Sequence, residues 1–196
     1  MLKFKGLIFD FNGVLLIDQH LHDSVFRKTA ERIMGRVPSE EEFRNSIHGR
    51  INKLIFEFFH GRGLSNDELT QEAHNKEFAY QELSIQEGEK YRLADGAKQI
   101  LDELKNRKIP FTIATSSPSM NIGFFDKMLG LSQWFDITKI ACDDGTMRGK
   151  PAPDLYLKAA QALNLEPKKC VVIEDARSGI AAAYAAGIGH IIAIGL

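Results

Sequence analysis

Cysteine and tryptophan are scarce in this chain of 196 residues, which has two cysteines and one tryptophan. Two cysteines, Cys142 and Cys170, build no disulfide framework and have no metal-binding spacing. Cys170 precedes an apolar run, so we expect it to be a buried free thiol. These features predict a protein of the reducing cytoplasm.

The chain also lacks an excess of one charge. Lys and Arg number 25 and Asp and Glu number 26, which gives a net charge of -1 with no block of like charges. This balance argues against a nucleic-acid partner. No apolar run approaches the ~20 residues that a membrane span needs, and a strand pattern begins within a few residues of the N-terminus, so we expect no membrane segment and no signal peptide.

Two kinds of hydrophobic pattern are present. After a first strand at 4–10, residues 18–90 show only helical spacing. From residue 94 onward, strands and helices alternate strictly, which predicts βαβ units and a parallel sheet that the first strand must join. We therefore predict an α/β core formed by residues 1–17 and 91–196, interrupted by a helical insertion at 18–90. The predicted helices are 19–35, 39–47, 50–60, 65–86, 97–107, 120–129, 153–163 and 176–186, and the later strands are 110–115, 137–141, 170–173 and 190–194.

Asp10 ends the first strand and stands before the turn dipeptide Asn12-Gly13. Open α/β sheets place their chemistry at the carboxyl ends of parallel strands, and a carboxylate there can attack phosphorus. Taken alone, Asp10 is better explained as a turn residue that bonds its own backbone, and only matching groups at later strand ends favour a functional role. The amide of Asn12 cannot titrate, although its main-chain carbonyl can face a metal. The alternative is that Asn12 serves only the turn.

Three later stretches supply matching groups. Thr115 and Ser116 follow a predicted strand, and a hydroxyl with loop amides suits a phosphate oxygen. The alternative for this stretch is plain helix capping by Ser117 or Ser119. Lys150 lies before Pro151 and Pro153, which stiffen the backbone and would hold its ammonium in place. A lone lysine before a proline is usually a surface residue, but the matching groups at the other strand ends favour a functional one.

Glu174 and Asp175 follow a buried strand. Adjacent carboxylates in such a place repel each other unless a cation compensates them, and Mg²⁺ is the natural partner. The alternative is that Asp175 caps the helix that follows. In the helical block, Arg50, Asn52 and Lys53 could hold the distal group of a substrate, or form a solvated helix end.

Together, these stretches resemble the haloacid dehalogenase superfamily, most nearly its β-phosphoglucomutase-like branch with a helical cap. The resemblance covers nearly the whole chain. It implies a three-layer Rossmann-like core with an inserted all-helical cap domain at 18–90. The carriers are residues 10–14 (Asp-Phe-Asn-Gly-Val), 114–117 (Ala-Thr-Ser-Ser), 149–154 (Gly-Lys-Pro-Ala-Pro-Asp) and 173–180 (Ile-Glu-Asp-Ala-Arg-Ser-Gly-Ile).

The resemblance also implies roles for individual residues. Asp10 would become phosphorylated, and Thr115, Ser116 and Lys150 would surround the phosphoryl group. Residues 49–53 match the position of the cap specificity loop, and His22 falls where related members carry a helper near the acid. The implied Mg²⁺ ligands are Asp10, the main-chain carbonyl of Asn12, Asp175 and, through water, Glu174.

One departure from the family affects function. The family's phosphatases and mutases carry Asp where this chain has Asn12, which removes a general acid/base that typically contributes ~10²–10⁴-fold. We predict a Mg²⁺-dependent phosphatase of small, sugar-like phosphorylated metabolites. The first alternative is an impaired member that binds a phosphometabolite or a protein partner, and a sugar-phosphate mutase or a dehalogenase is less favoured.

A second departure concerns the sheet. The chain ends soon after the strand at 190–194, where relatives often add another strand and helix. We therefore expect one sheet edge to be exposed or covered by a partner, in a monomer or a weak homodimer.

Overall fold

A computed structural model describes residues 4–47 and 50–195. Gly49, which the resemblance places in a specificity loop, lies outside the described residues. The chain divides into two compact units, one made of Met1–Ile17 with Arg92–Leu196 and the other of Asp18–Tyr91. Within the described ranges, no helix is long and apolar enough to cross a membrane.

The described residues of the unit Asp18–Tyr91 form helices and no strand. The side chains of Ser39 and Ser65 each begin a helix through a reciprocal capping box, with Glu42 and Glu68 respectively. Such a box satisfies two of the free amides at a helix start. The helices are α1 (Gln19–Met34), α2 (Glu40–Glu42, continued by a π-helical segment Phe43–Ile47), α3 (Asn52–His60) and α4 (Asn66–Gln86).

Apolar side chains from three of these elements form the core of this unit. Ala30 of α1, Phe43 and Ile47 of the π-helical segment, and Ile55 and Phe56 of α3 are buried together. The predicted helix 50–60 begins two residues later than expected, at Asn52, so Arg50 lies before the helix and not in it.

The other unit contains a five-stranded sheet in which every neighbouring pair is parallel. Its strands are β1 (Gly6–Phe9), β2 (Phe111–Pro118), β3 (Ala141–Asp143), β4 (Cys170–Glu174) and β5 (His190–Ala193). The strand order is β3-β2-β1-β4-β5. This is the order of a doubly wound, Rossmann-like α/β core, and it confirms the predicted fold class. One edge of the sheet is β5, where Ile192 is 41% exposed.

Four helices follow strands of this sheet or lead into them: α5 (Ala97–Asn106), α6 (Met120–Leu129), α7 (Asp154–Ala162) and α8 (Arg177–Ala185). Alanines of α7 and α8 pack with Ile8 of β1 and Val172 of β4. Small side chains let the helices approach the sheet closely, so the sheet is held rigidly beneath the loops at its carboxyl edge.

The predicted strand 137–141 is wrong for its first residues. Ile137–Lys139 is a single 3₁₀ turn, and the strand there is Ala141–Asp143. The Asp136 carboxylate accepts hydrogen bonds from the backbone N–H of Thr138 (3.2 Å) and from its hydroxyl (2.6 Å). Such a bond of an aspartate to the backbone two residues ahead competes with strand pairing.

The predicted strand 110–115 is too short. β2 continues to Pro118, which is aligned with Asp143 of β3 after a register shift beyond Ala114. Thr115 and Ser116 therefore lie within the strand and not at its end. The polar side chains from Thr115 onward were predicted to end the strand, but the strand continues by pairing with β3.

Candidate active site

Strand β1 is the middle strand of the sheet, and the strand order reverses there. The chain adds β2 and β3 on one side of it and β4 and β5 on the other. In such sheets, ligands bind outside the carboxyl ends of the strands where the order reverses. Asp10 directly follows β1, and its backbone N–H donates to the Ile173 carbonyl of β4 at 2.9 Å. This pairing places Asp10 beside Glu174.

Lys150 joins these two carboxylates. Its Nζ lies 2.7 Å from Asp10 Oδ1 and 2.5 Å from Glu174 Oε1. The side chains of Lys150 and Asp10 are 8% and 9% exposed, and that of Glu174 is not exposed. Buried charges of this kind are stable only when they are paired. Three residues that are up to 164 positions apart in the sequence thus form one charged cluster.

Burial and charge shift the pKa values of this cluster. Burial raises the pKa of Asp10 from 3.8 to about 7, with Lys150 opposing the shift and Glu174 adding to it. Burial disfavours the Lys150 ammonium, but the carboxylates of Asp10 and Glu174 outweigh it and raise the pKa of this lysine. Burial and Glu174 also raise the pKa of Asp175. An additional cation beside these carboxylates would favour their charged forms.

The carboxylates offer the hard oxygen ligands that Mg²⁺ prefers. One ligand atom each from Asp10, Glu174 and Asp175 lies within 4.8 Å of the others. Space for these groups depends on glycine, because a Cβ on Gly13 would collide with the Asp175 carboxylate and a Cβ on Gly179 with that of Glu174. The residues present therefore fit a divalent cation.

The three carboxylates are not equally available to a metal. Glu174 Oε1 accepts from Lys150 and from the Tyr156 hydroxyl (3.0 Å), and Oε2 accepts from the Ala176 backbone N–H (2.7 Å). Asp10 and Asp175 are thus the carboxylates better able to contact an ion directly. The predicted alternative, in which Asp175 caps the next helix, is wrong because α8 begins at Arg177 and its N-cap residue is Ala176, which makes no side-chain cap hydrogen bond.

Asn12 is held by hydroxyl groups of β2. Its Oδ1 accepts from Ser117 Oγ at 2.8 Å and from Thr115 Oγ1 at 3.3 Å. Thr115 Oγ1 also accepts from the Ser117 backbone N–H at 3.0 Å. Thr115 is fully buried, whereas Ser116 is exposed. A cleft beside them is lined by Thr115, Ser116, Asp143, Arg148 and Lys150, among others.

Sequence reasoning missed two residues of this site, Ser117 and Tyr156. Ser117 was predicted only as part of the 114–117 motif or as a helix cap, but its hydroxyl bonds to Asn12, and Ser119 at the start of α6 makes no cap hydrogen bond. A longer strand prediction would have placed Ser117 on the same strand as Thr115. No local signal marks Tyr156, because its role depends on contacts with Glu174 and Lys150.

The remaining predicted residues lie in the helical unit. The ring of His22 stacks on Tyr80 with 4.5 Å between centroids, and its Nε2 lies 3.3 Å from Asp18 Oδ2. The guanidinium of Arg50 donates to the carbonyl of Asn45. Asn52 is the first residue of α3, and Lys53 is exposed.

Similar proteins match this chain over most of their length. A structure of a HAD hydrolase of family IA, variant 3, from Entamoeba histolytica is 40% identical and covers 98% of this chain and 84% of its own, with a TM-score of 0.91. The phosphorylated carbohydrates phosphatase of Thermotoga maritima is 29% identical and covers 97% of this chain and 85% of its own. The β-phosphoglucomutase of Bacillus subtilis is 30% identical, and the match covers 94% of this chain and 80% of that protein.

These relatives come from the branch that the sequence motifs predicted, and they include phosphatases that act on phosphorylated sugars. Residues 4–187 also match the family model of the haloacid dehalogenase-like hydrolases. The match spans both the carboxylate–lysine cluster and the helical unit. By sequence and by fold, this chain belongs to the haloacid dehalogenase-like hydrolase family.

Proposed function

We propose that this protein is a Mg²⁺-dependent phosphatase of small, sugar-like phosphate monoesters and that Asp10 is its nucleophile. The observation that carries the proposal is the contact of Asp10 with the buried ammonium of Lys150 at the carboxyl end of β1. The Thermotoga maritima relative, a phosphatase of phosphorylated carbohydrates, supports the substrate class.

The proposed reaction has two steps. Lys150 contacts Asp10 Oδ1, so Oδ2 is the oxygen placed to attack phosphorus. The new P–O bond forms as the bond to the substrate's alcohol oxygen breaks, and that oxygen takes a proton from solvent water. Water then attacks the acyl phosphate and releases inorganic phosphate, which regenerates the Asp10 carboxylate. The Lys150 ammonium stabilises charge on the phosphoryl oxygens in both steps.

We propose that Asp10, Asp175 and the main-chain carbonyl of Asn12 hold Mg²⁺, with Glu174 acting through water. When bound, the ion would neutralise negative charge where the phosphate meets the carboxylates. Thr115 and Ser116 are proposed to contact the phosphoryl group from β2. Their cleft is shared with Lys150, which supports that assignment.

We also propose that residues 18–90 act as a cap that selects the substrate through His22, Arg50, Asn52 and Lys53. The exposure of Arg50 and Lys53 supports a role in binding. For its location we propose the cytoplasm, because both cysteines are free and buried. For its assembly we propose a monomer or a weak homodimer, which light scattering over a concentration series would test.

Asn12 is the feature that limits the proposed turnover. An amide cannot give a proton to the leaving oxygen or take one from water. The same feature supports a second candidate function, a protein that binds a phosphometabolite or a protein partner without converting it. A sugar-phosphate mutase is less favoured, because both of its half-reactions need an acid and a base.

The test is phosphate release from a panel of sugar phosphates and an activated aryl phosphate, with and without Mg²⁺. We expect slow, Mg²⁺-dependent release that Asp10→Ala abolishes. Asn12→Asp should raise the rate by about 10²–10⁴-fold for poor leaving groups, because it restores an acid. The hydroxyls of Ser117 and Thr115 can donate to a carboxylate as they do to the amide.

The outcomes separate the two candidates. Release that survives Asp10→Ala would contradict the proposed nucleophile. Phosphate binding with no release, except in Asn12→Asp, would favour the binding protein. Samples need a mass check, because Asn-Gly pairs can deamidate to a carboxylate. We expect the amide to persist in the folded chain, since the attacking atom, the backbone nitrogen of Gly13, has its N–H bonded to the Leu16 carbonyl at 2.7 Å.

A further inference from the structure

Tyr156 is a buried side chain next to the proposed phosphate-binding lysine. It lies in the first turn of α7, six residues after Lys150, and is completely buried. Its hydroxyl donates to Glu174 Oε1 at 3.0 Å. Its ring centroid lies 5.2 Å from the Lys150 Nζ. Tyr156 therefore contacts the lysine and the carboxylate that holds the lysine.

Three donors fix the Glu174 carboxylate. Tyr156 and Lys150 share Oε1, and the backbone N–H of Ala176 occupies Oε2. Hydrogen bonds to an ionised group are stronger than neutral ones, and a buried carboxylate with all its partners present is held in one orientation. The tyrosine hydroxyl supplies one of these three bonds from a different element, α7, so it ties the carboxyl end of β4 to that helix.

The lysine needs such support because its side chain is long. A lysine ammonium sits on a flexible four-carbon stem and loses rotamer freedom when it is fixed. The ammonium has three N–H donors, of which one points to Asp10 and one to Glu174. The third is then left for an oxygen of an arriving phosphoryl group.

We propose that Tyr156 is a positioning residue for Lys150. Its hydroxyl fixes Glu174, and its ring and Glu174 together hold the ammonium beside Asp10. This inference rests on the proposed function, in which Lys150 binds a phosphoryl oxygen. Tyr156 itself touches no reacting atom, so its effect must pass through Lys150.

A double-mutant cycle tests that dependence, with inorganic phosphate as the probe in the presence of Mg²⁺. NMR titration of the folded protein measures dissociation constants into the millimolar range, and it does not depend on turnover. We expect Tyr156→Phe to weaken phosphate binding about tenfold, the size of one hydrogen bond to a charged group. Lys150→Met should weaken binding further, and adding Tyr156→Phe to it should change the constant by less than about twofold.

Tyr184→Phe is the matched control, because Tyr184 lies on α8 and is 82% exposed. It should leave phosphate binding unchanged. A second readout is the ¹H–¹⁵N signal of the Lys150 ammonium. We expect this signal to be protected from exchange in the natural chain and in Tyr184→Phe, and to be lost in Tyr156→Phe.

The outcomes separate the positioning role of Tyr156 from the phosphate-binding role of Lys150. If Lys150→Met leaves phosphate binding unchanged, the proposed role of the lysine fails. If Lys150→Met weakens binding but Tyr156→Phe does not, the positioning role of Tyr156 is overturned. An equal effect of Tyr156→Phe with and without Lys150 would also overturn it, because the tyrosine would then act on the whole fold.

Discussion

Asn12 is held by the neighbouring strand as well as by its own turn. Its Oδ1 accepts hydrogen bonds from Ser117 and Thr115, which lie more than 100 residues further along the chain. These bonds hold the side chain in one orientation. The dipeptide Asn12-Gly13 correctly predicted a turn. It could not predict the hydrogen bonds of Asn12 with β2, because these depend on strand packing.

Ser117→Ala tests the importance of the shorter of these two bonds. Removing the Ser117 hydroxyl leaves Asn12 Oδ1 with the longer contact to Thr115. We expect the free energy of unfolding to fall by about 1 kcal/mol, the usual net value of one hydrogen bond. Urea unfolding measures this change.

Ser119→Ala is the matched control for that experiment. Ser119 is exposed, and its side chain makes no cap hydrogen bond at the start of α6. Its replacement should change the free energy of unfolding by less than about 0.5 kcal/mol. Equal losses in the two variants would contradict the role given to Ser117.

Gly179 of α8 leaves space for the Glu174 carboxylate. A Cβ on Gly179 would collide with the Glu174 carboxylate, whereas a Cβ on Gly123 in α6 meets nothing within 4 Å. We expect Gly179→Ala to lower the free energy of unfolding by about 2 kcal/mol, because overpacking costs more than the helix gains.

Gly123→Ala provides the comparison. Alanine is the better helix former, so this variant should be about 0.5–1 kcal/mol more stable than the natural chain. Urea midpoints of the two variants measure the difference. A Gly179→Ala variant as stable as Gly123→Ala would show that the Glu174 carboxylate can move aside without cost.

The start of α4 gives a prediction about pH. Arg62, followed by Ser65, lowers the pKa of Glu68 from 4.5 to about 2. Because the folded pKa lies below the unfolded one, the stabilisation is complete above pH 4.5 and is lost as the pH falls through about 2. Glu68→Gln should therefore lose less stability over this range than the natural chain does, as thermal unfolding would measure.

Glu89→Gln is the control for the pH series. Glu89 is exposed in a short 3₁₀ turn after α4 and belongs to no capping box. The stability of Glu89→Gln should change with pH as that of the natural chain does. If Glu68→Gln follows the same profile, the ion pair and the capping box contribute nothing measurable below pH 4.5.

The whole molecule should respond to Mg²⁺ if the carboxylates bind it. A ligand that binds only the folded chain stabilises it by about 2.7 kcal/mol at 100 times its dissociation constant. We expect a higher melting temperature in Mg²⁺, and we expect Asp175→Asn to remove most of this shift. Asp67→Asn, at an exposed position in α4, should keep the shift.

Results for these variants bear on the metal site alone. An equal shift in Asp175→Asn would place the cation elsewhere in the molecule. No shift in the natural chain would mean that Asp10 and Asp175 bind Mg²⁺ weakly without a phosphate. Thermal unfolding reports these outcomes whether or not the chain turns over a substrate.

Patterns within the sequence are sufficient to predict the parallel core and most of the charged cluster. Alternating strands and helices predict a parallel sheet, and the carboxyl ends of parallel strands meet at one edge. Asp10 and Glu174 were therefore expected to meet, since each follows or ends an apolar strand. Lys150 was found through its prolines and its resemblance to a family motif. These signals are local, and each can be read within a few residues.

Which atoms become hydrogen-bond partners depends on how distant parts of the chain pack together. The register between β1 and β2 brings Asn12 to Ser117, and the register between β1 and β4 places Asp10 beside Glu174. Packing of α7 brings Tyr156 to Glu174, and pairing with β3 extends β2 past Thr115. Each of these contacts joins residues from different elements of the chain, so short-range sequence patterns cannot predict them. The fold alone brings these partners within hydrogen-bond distance.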